Sequence, residues 1–415
     1  MATLTRNGAA FVAIASAVGV GPLSTAASAQ TIGDDFLEFG AEVDLRYDSN
    51  VVRGGRGLVG ETDAADYNGS DIIITPALTA SINKTLGSNA VRASVLVGYD
   101  FYLRNERLGN ERIQADLAGV GKLAFCELRP GLSFQRRQAR AGERGIVTDP
   151  AVDVNAVQTV QDYRLDASCG RSIGIRAIGG VEFSSGRTSS EFRRLSDYDR
   201  FTYYGGIGYQ QPSIGKLDLY ASNEETEYVN SPIEEQLRDY SVRRYGATFS
   251  RDINARWNAN VGVFYVDVNA ASAIQENYSG LGWNIGLNGT FPPRLQVGLQ
   301  FGKDVQPVLN NDSLYTKQTL YGVSLNYALN ERWNLSGAYS LRDRNYVYSE
   351  VLPPSTEANL LEDQFNLATV SATYNTASPL SFSLYGGYEK RSSNTPLFNY
   401  DGVYGGVTVK YLFRR

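Results

Sequence analysis

From Val91 to Leu103 the chain alternates strictly. Val91, Ala93, Val95, Val97, Tyr99, Phe101 and Leu103 are side chains that hydrocarbon accepts; Arg92, Ser94, Leu96, Gly98, Asp100 and Tyr102 fall between them. A period of two held that long describes a β-strand with one apolar face and one wet face. The pattern recurs to the end of the chain and predicts eighteen strands, near 39–53, 70–83, 89–104, 110–125, 127–140, 156–168, 172–185, 196–210, 214–227, 237–250, 255–268, 274–290, 294–302, 314–328, 332–343, 359–375, 379–391 and 399–413. In the seventh, Ile173, Ile175, Ala177, Gly179, Val181 and Phe183 alternate with polar positions that include Arg176 and Glu182. In the twelfth, Leu281, Trp283, Ile285 and Leu287 alternate with Gly282, Asn284, Gly286 and Asn288.

The connections alternate as well. Short turns are expected at Lys84–Ser88, Cys126, Cys169–Arg171, Gln211–Ser213, Arg251–Asn254, Phe291–Pro293, Leu329–Glu331 and Thr376–Ser378. Between them lie longer polar loops at Gly54–Gly69, Ala141–Asn155, Gly186–Leu195, Tyr228–Gln236, Lys303–Ser313, Arg344–Ala358 and Ser392–Phe398, with two shorter ones at Asn105–Gly109 and Asn269–Ala273. Short turns at one end and long loops at the other, with an even strand count, are the build of a bacterial outer-membrane barrel. The expected fold is therefore all-β: a transmembrane, antiparallel, up-and-down barrel of about eighteen strands, with sixteen as the alternative. A β-sandwich or propeller would need protein to cover every apolar face, and neither helices, fully apolar strands nor a blade-length repeat supplies that cover.

The first 29 residues read as a secretory signal, with Arg6 in a basic start, an apolar run over Gly8–Val20 and Ala27-Ser28-Ala29 before a cut at Gln30. Residues 30–38 are expected as a short periplasmic segment and 39–415 as the barrel. No later stretch approaches the roughly 18 apolar residues of a membrane helix. The mean hydropathy of −0.27 is blind to alternation, because lipid-facing and lumen-facing side chains cancel. Val409, Tyr411 and Phe413, on one face of the last strand, fit the C-terminal signal read by the barrel-insertion machinery of Gram-negative bacteria.

Composition narrows the chemistry. The chain has no histidine, and so lacks the commonest general base and the commonest metal ligand. It shows no phosphate-binding loop, no G-x-S-x-G elbow, no C-x-x-C and no metal-ligand cluster. Asp197-Tyr198-Asp199 resembles a carboxylate pair by composition alone and is expected to be solvated. No enzyme and no cofactor are expected, and a net charge of −5 gives no reason to expect nucleic acid. The expected partners are outer-membrane lipid, the insertion machinery during assembly, and whatever solute passes through.

Inward positions carry charges of both signs: Glu42, Asp44, Arg46, Asp48, Arg92, Asp100, Asp116, Lys122, Asp162, Arg164, Asp166, Arg176, Glu182, Lys216, Asp218, Arg244 and Lys410. Burying so many without water would cost several kcal/mol each, so they imply a hydrated lumen. Tyr102, Tyr204, Tyr220, Phe264 and Tyr385 point inward by the same register, either as lumen packing or as faces for sugar rings. Tyr47, Tyr99, Tyr209, Trp257, Trp283, Trp333, Tyr339, Tyr388 and Tyr411 face out and read as interfacial girdles. Cys126 and Cys169 are expected on periplasmic turns at the open base of one hairpin, where a disulfide fits an oxidising compartment.

Three segments resemble a known family. Ala41–Val51 (AEVDLRYDSNV), Ser70–Leu78 (SDIIITPAL) and Asn89–Tyr102 (NAVRASVLVGYDFY) are similar, in order and spacing, to the opening strands of the β-barrel porin 2 family. Arg46, where the family often has a smaller residue, and the Arg414-Arg415 tail depart from it. The resemblance implies an outlet for an exopolysaccharide, working with periplasmic polysaccharide-export proteins. The residues themselves leave three readings open: export of a hydrated polysaccharide, diffusion of small sugars or acids, or an occluded structural or adhesive barrel. The loops Ala141–Asn155 and Arg344–Ala358 are the candidates for an inward constriction.

Overall fold

The computed structural model describes residues 35–51, 69–138, 157–189, 197–230, 239–270, 277–291, 294–307, 315–347, 361–395 and 398–414. Eighteen strands run β1 (Phe36–Asp48), β2 (Asp71–Leu86), β3 (Asn89–Tyr102), β4 (Asn110–Leu123), β5 (Cys126–Gln138), β6 (Val157–Gly170), β7 (Gly174–Thr188), β8 (Tyr198–Gln211), β9 (Gly215–Tyr228), β10 (Tyr240–Asn254), β11 (Trp257–Ala270), β12 (Tyr278–Phe291), β13 (Leu295–Pro307), β14 (Tyr315–Ala328), β15 (Trp333–Val347), β16 (Glu362–Asn375), β17 (Leu380–Ser393) and β18 (Tyr400–Arg414). Each pairs antiparallel with its neighbours in the chain. β1 closes the ring on β18, from Glu38 opposite Arg414 to Asp48 opposite Tyr404. Within the belt a closed ring leaves no sheet edge, so backbone donors and acceptors are satisfied within the wall, as lipid demands.

The apolar phase of each strand faces out. On β3 Val95, Val97 and Phe101 are exposed, and on β1 Val43, Leu45 and Tyr47. A folded chain that leaves this much contiguous apolar surface uncovered is built to meet hydrocarbon. The belt is bounded by rings of aromatics. Outward-facing Tyr203, Tyr245, Tyr265, Tyr321, Tyr339 and Tyr388 mark its outer edge. Tyr209, Trp257, Trp333, Tyr374, Phe382 and Tyr411 mark the inner one. On the inner ring Trp333 lies 4.9 Å from Tyr374 and Trp257 meets the ring of Phe291 edge-on at 5.2 Å. Tyr321 and Tyr327 stand six residues apart on β14, roughly 20 Å along a strand.

Several boundaries depart from expectation: β10 runs on to Asn254 through the turn expected at Arg251–Asn254, β2 runs to Leu86, β12 begins only at Tyr278, and β1 ends at Asp48 and not 53. β1 starts at Phe36, so residues 36–38 belong to the wall rather than to the short periplasmic segment. β7 runs on to Thr188 and β15 to Val347. β13 extends five residues beyond 302, to Pro307, although Lys303 and Asp304 interrupt its apolar run. The cysteines lie on strands rather than turns: the turn before β5 is Ala124-Phe125, with Ala124 left-handed at φ 54°. Cys126 opens β5, Cys169 stands directly opposite it on β6, and the two sulfurs are bonded. The signal segment 1–29 and the loop Ala141–Asn155 lie outside the described residues, as does Arg344–Ala358 beyond Val347.

Candidate channel and its constriction

Inward positions follow from the same registers that place the belt. Across the inner half the lumen wall is wet and charged, and its ions are paired along and between strands. The Arg176 guanidinium on β7 reaches across β8 to Asp218 on β9 at 3.0 Å, and Lys216 meets the same carboxylate at 2.8 Å. Arg164 pairs with Asp166 at 2.7 Å, and Lys410 with Glu42 at 3.7 Å. Other carboxylates are held by neutral donors. Asp44 accepts from the Tyr385 and Thr408 hydroxyls at 2.8 and 2.7 Å, and Asp162 from Ser184 at 2.6 Å. Asp116 accepts from Ser133 and Gln114, each at 3.1 Å, and Asp100 accepts from Thr75; Glu182, by contrast, is ion-paired with Arg200 at 3.5 Å. Asp48 accepts from the Asn50 amide. Arg46, Arg92 and Lys122 also face the lumen, Arg92 and Lys122 with exposed side chains.

The five inward aromatics line the wall rather than stand into the water. The Tyr204 ring lies against Gly180, where a Cβ would come within 2.5 Å of it, and Phe264 covers Gly282 in the same way. Glycine on one strand makes room for a ring from the next. Tyr220 and Phe264 are buried, and Tyr385 spends its hydroxyl on Asp44. Tyr102 packs with Ile73 and Leu108. This last group sits at the outer rim, where the buried Asp71 carboxylate accepts from the Leu103, Arg104 and Asn105 amides at 3.1, 3.0 and 2.8 Å. That clasp holds the short 3-10 turn Glu106–Leu108.

Of the pair expected to be solvated, Asp197 is buried, while Asp199 stays partly exposed and ion-paired. Asp197 is buried and accepts from the Thr188 amide and from Asn230 Nδ2; Asp199 takes a bidentate contact from Arg187 at 2.7 Å. Their carboxylates tie the outer ends of β7, β8 and β9 together.

Above the outer aromatic ring the pattern inverts, beyond what the alternation predicts. Below Tyr265, β11 is apolar outside (Val261, Val263) and small or polar inside (Asn260, Gly262). Above it, Asp267 and Asn269 face out while Val266 and Val268 face in. β10 does the same, with Arg243 and Ser241 outside and Val242 and Tyr240 inside. The strands thus rise past the membrane as a water-soluble barrel with a core of its own: Val242, Val266, Val268, Tyr198, Tyr228 and Tyr240 are all buried together. The sequence carries a signal for it in the unbroken run Val261-Gly262-Val263-Phe264-Tyr265-Val266, where one apolar phase hands over to the other.

Two members of that core come from the opposite face of their own strands. By register Val305 of β13 and Tyr315 of β14 share the outward phase with Phe301 and Tyr321, yet both are buried in the cluster with Val242 and Val268. The two strand ends have parted from β12 and pack on the inward valines of β10 and β11, while β14 stays paired with β15 as far as Tyr315 opposite Val347. The Tyr315 ring is 6.1 Å from Tyr240 and 6.4 Å from Tyr278, and Lys317 Nζ stands 3.8 Å over the Tyr278 ring. Arg244 fastens the arrangement. It donates from Nη1 to Glu224 at 2.9 Å, from Nε to Asp304 at 3.2 Å and from Nη2 to the Val305 carbonyl at 3.1 Å.

A second knot of inward-facing groups ties together the outer ends of β15 to β17. The Asp363 carboxylate, fully buried, accepts from Arg344 at 2.7 and 2.8 Å, from Arg391 at 2.6 Å and from the Tyr346 hydroxyl at 3.0 Å. Arg391 in turn stacks over Phe398 at 5.3 Å. Glu224, Asp304, Asp363, Arg344 and Arg391 were absent from the sequence-derived lumen set. Alternation marks a position as inward, but it does not say which inward charges converge.

No family model matches the chain, and no curated protein matches it. Among solved structures it is similar to a BenF-like porin from Pseudomonas fluorescens Pf-5, at 13% identity and a TM-score of 0.47 over 92% of this chain and 100% of that one. It is similar to OccK2 (OpdF) of Pseudomonas aeruginosa in complex with glucuronate, at 13% identity and 0.45 over 92% and 98%. It is also similar to the outer membrane protein OprD from Pseudomonas aeruginosa, at 10% identity and 0.44 over 92% and 94%. Identities this low say nothing about cargo.

Proposed function

We propose that the chain forms an aqueous pore in the outer membrane of a Gram-negative bacterium and passes small hydrophilic solutes, sugars or small acids, by diffusion. The observation that carries this reading is the narrowing of the outer lumen by the wall's own strand ends, seated on Arg244, above a hydrated and charged inner half. A ring of eighteen strands is wide enough to keep water inside, and an inward-folded segment then sets the size limit. Paired lumen charges suit neutral or singly charged polar solutes, which can exchange hydration water for wall contacts without meeting a large net field.

Export of an exopolysaccharide, implied by the resemblance of Ala41–Val51, Ser70–Leu78 and Asn89–Tyr102, has less support. A polymer needs a continuous wide path, and the buried knot around Val242 and Val305 occupies part of it. Removal of the signal before Gln30, and insertion directed by Val409, Tyr411 and Phe413, complete the route by which the chain reaches its membrane.

The test is reconstitution of the purified mature chain. Current in planar bilayers, with liposome swelling that is rapid for monosaccharides and falls off steeply with oligosaccharide length, is the expected result. An absence of current would favour an occluded barrel. Swelling indifferent to chain length, together with loss of surface polymer on deletion of the gene, would favour export.

A further inference from the structure

The described outer ends of β13 and β14, Lys303–Pro307 and Tyr315–Lys317, have the residue pattern of a wall and sit in the lumen. On β13 the outward phase runs Val297, Leu299, Phe301, Lys303 and Val305, apolar except at Lys303, and the strand stays paired with β14 throughout, so this is no irregular loop. Its ladder to β12 stops at Trp283 opposite Lys303. β12 nevertheless continues to Tyr278, paired with β11 as far as Val268, and β13 continues to Pro307, paired with β14 as far as Tyr315. The β12–β13 register, carried on unchanged, would set Gly282 opposite Asp304 and Leu281 opposite Val305. Instead Leu281 is 61% exposed and Val305 is 3% exposed, buried on the far side of the wall.

Resting on the channel reading, we propose that these two strand ends, around Val305 and Tyr315, are a gate with two seats. The lumen seat is the one described above. In the wall seat β12 and β13 zip on past Trp283, Leu281 and Val305 become a cross-strand pair on the outer face, and the lumen widens.

Each seat has its own physical support. The lumen seat buries Val305 and Tyr315 on Val242 and Val268, and it gives Asp304 and the Val305 carbonyl to Arg244. The wall seat joins the outer backbone edge of β12, which the lumen seat leaves without its β13 partner, and covers Leu281 with an apolar neighbour. In that seat Asp304 would take the inward position opposite Gly282, beside the Phe264 ring that covers this glycine. The Arg244–Asp304 contact exists in one seat only, so Arg244 acts as the latch: an interaction made in a single state is what biases a two-state element.

The test combines cross-linking with single-channel recording. Leu281→Cys with Val305→Cys should form a disulfide in membranes under mild oxidant, faster by about tenfold or more when Arg244→Ala is added, since loss of one partner of a buried ion pair strongly disfavours the seat that buries it. Bilayer records of the wild type should show two current levels, with Arg244→Ala favouring the larger and the cross-linked protein held there. If Arg244→Ala does not insert, Asp304→Asn removes the same contact from the other side. Absence of the cross-link in every background, with a single current level indifferent to these changes, overturns the gate while leaving the channel intact. A wild type without any current defeats the channel reading, and the cross-link still decides the hinge.

Discussion

Arg244 of β10 donates from Nε to Asp304 of β13 at 3.2 Å, across the two strands that separate them in the wall. Neighbouring strands stand roughly 4.8 Å apart, so wall geometry alone keeps these residues too distant for a hydrogen bond. The contact exists because β13 leaves the wall. It joins a long-range packing event to the width of the lumen, and it makes that width sensitive to single side chains.

The belt can be tested one face at a time. Val97→Arg, near the middle of the lipid face of β3, is expected to cost about 2–4 kcal/mol and to reduce insertion. Leu96→Arg, one residue away and facing the lumen, is expected to insert normally. Heat-modifiable gel migration of outer-membrane fractions reads both, and equal behaviour would mean that the faces are assigned the wrong way round.

Asp218 stands between Arg176 and Lys216. Asp218→Asn keeps the shape and leaves two cations facing the lumen without their carboxylate. The reversal potential in a salt gradient should shift toward anion selectivity, and the shift should shrink as ionic strength rises and screening sets in. An unchanged reversal potential would show that these groups lie away from the ion path.

The Asp363 knot should matter for stability. Asp363→Asn leaves Arg344 and Arg391 buried beside a neutral amide, and breaking such a buried pair costs about 3–5 kcal/mol. Denaturant midpoints in detergent should fall, and fall further for Asp363→Ala, which also removes the acceptor of the Tyr346 hydroxyl. A midpoint equal to wild type would mean that water reaches the site and replaces the carboxylate.

Gly180 faces the Tyr204 ring, and its Cβ would also meet Asp166 Oδ1 at 2.8 Å. Gly180→Ala should therefore cost about 1–3 kcal/mol by overpacking. Adding Tyr204→Phe, which removes the hydroxyl that donates to Asp166 at 2.8 Å, should give a non-additive double-mutant cycle in unfolding midpoints.

The disulfide joins residues 43 apart at the inner rim of β5 and β6. Cys126→Ser with Cys169→Ser should lower resistance to unfolding by about 2–4 kcal/mol, the usual effect of closing a loop in the unfolded chain. A reductant should do the same to the wild type and nothing to the variant.

Period two placed the strands in sequence because lipid and water meet opposite sides of every ribbon, and each residue votes on its own. Val95 against Leu96, or Ile175 against Arg176, is a local fact that needs no partner. Turn chemistry and loop length then supplied the closed, even-stranded ring. The Cys126–Cys169 pair was legible as one hairpin base, but its place on the strands depended on a two-residue turn at Ala124-Phe125.

The sequence by itself determined that there would be a barrel, how its strands follow one another, and which side of each faces out. Only the tertiary structure decided where the wall departs from that plan. Val305 and Tyr315 carry the phase of lipid-facing residues and are buried inside, on valines that hold the inward phase of β10 and β11. Alternation reports which residues share a face; it does not report what that face touches. That depends on strands far apart in sequence, and on whether a strand end gains more from Arg244 and Val242 than from the free edge of β12.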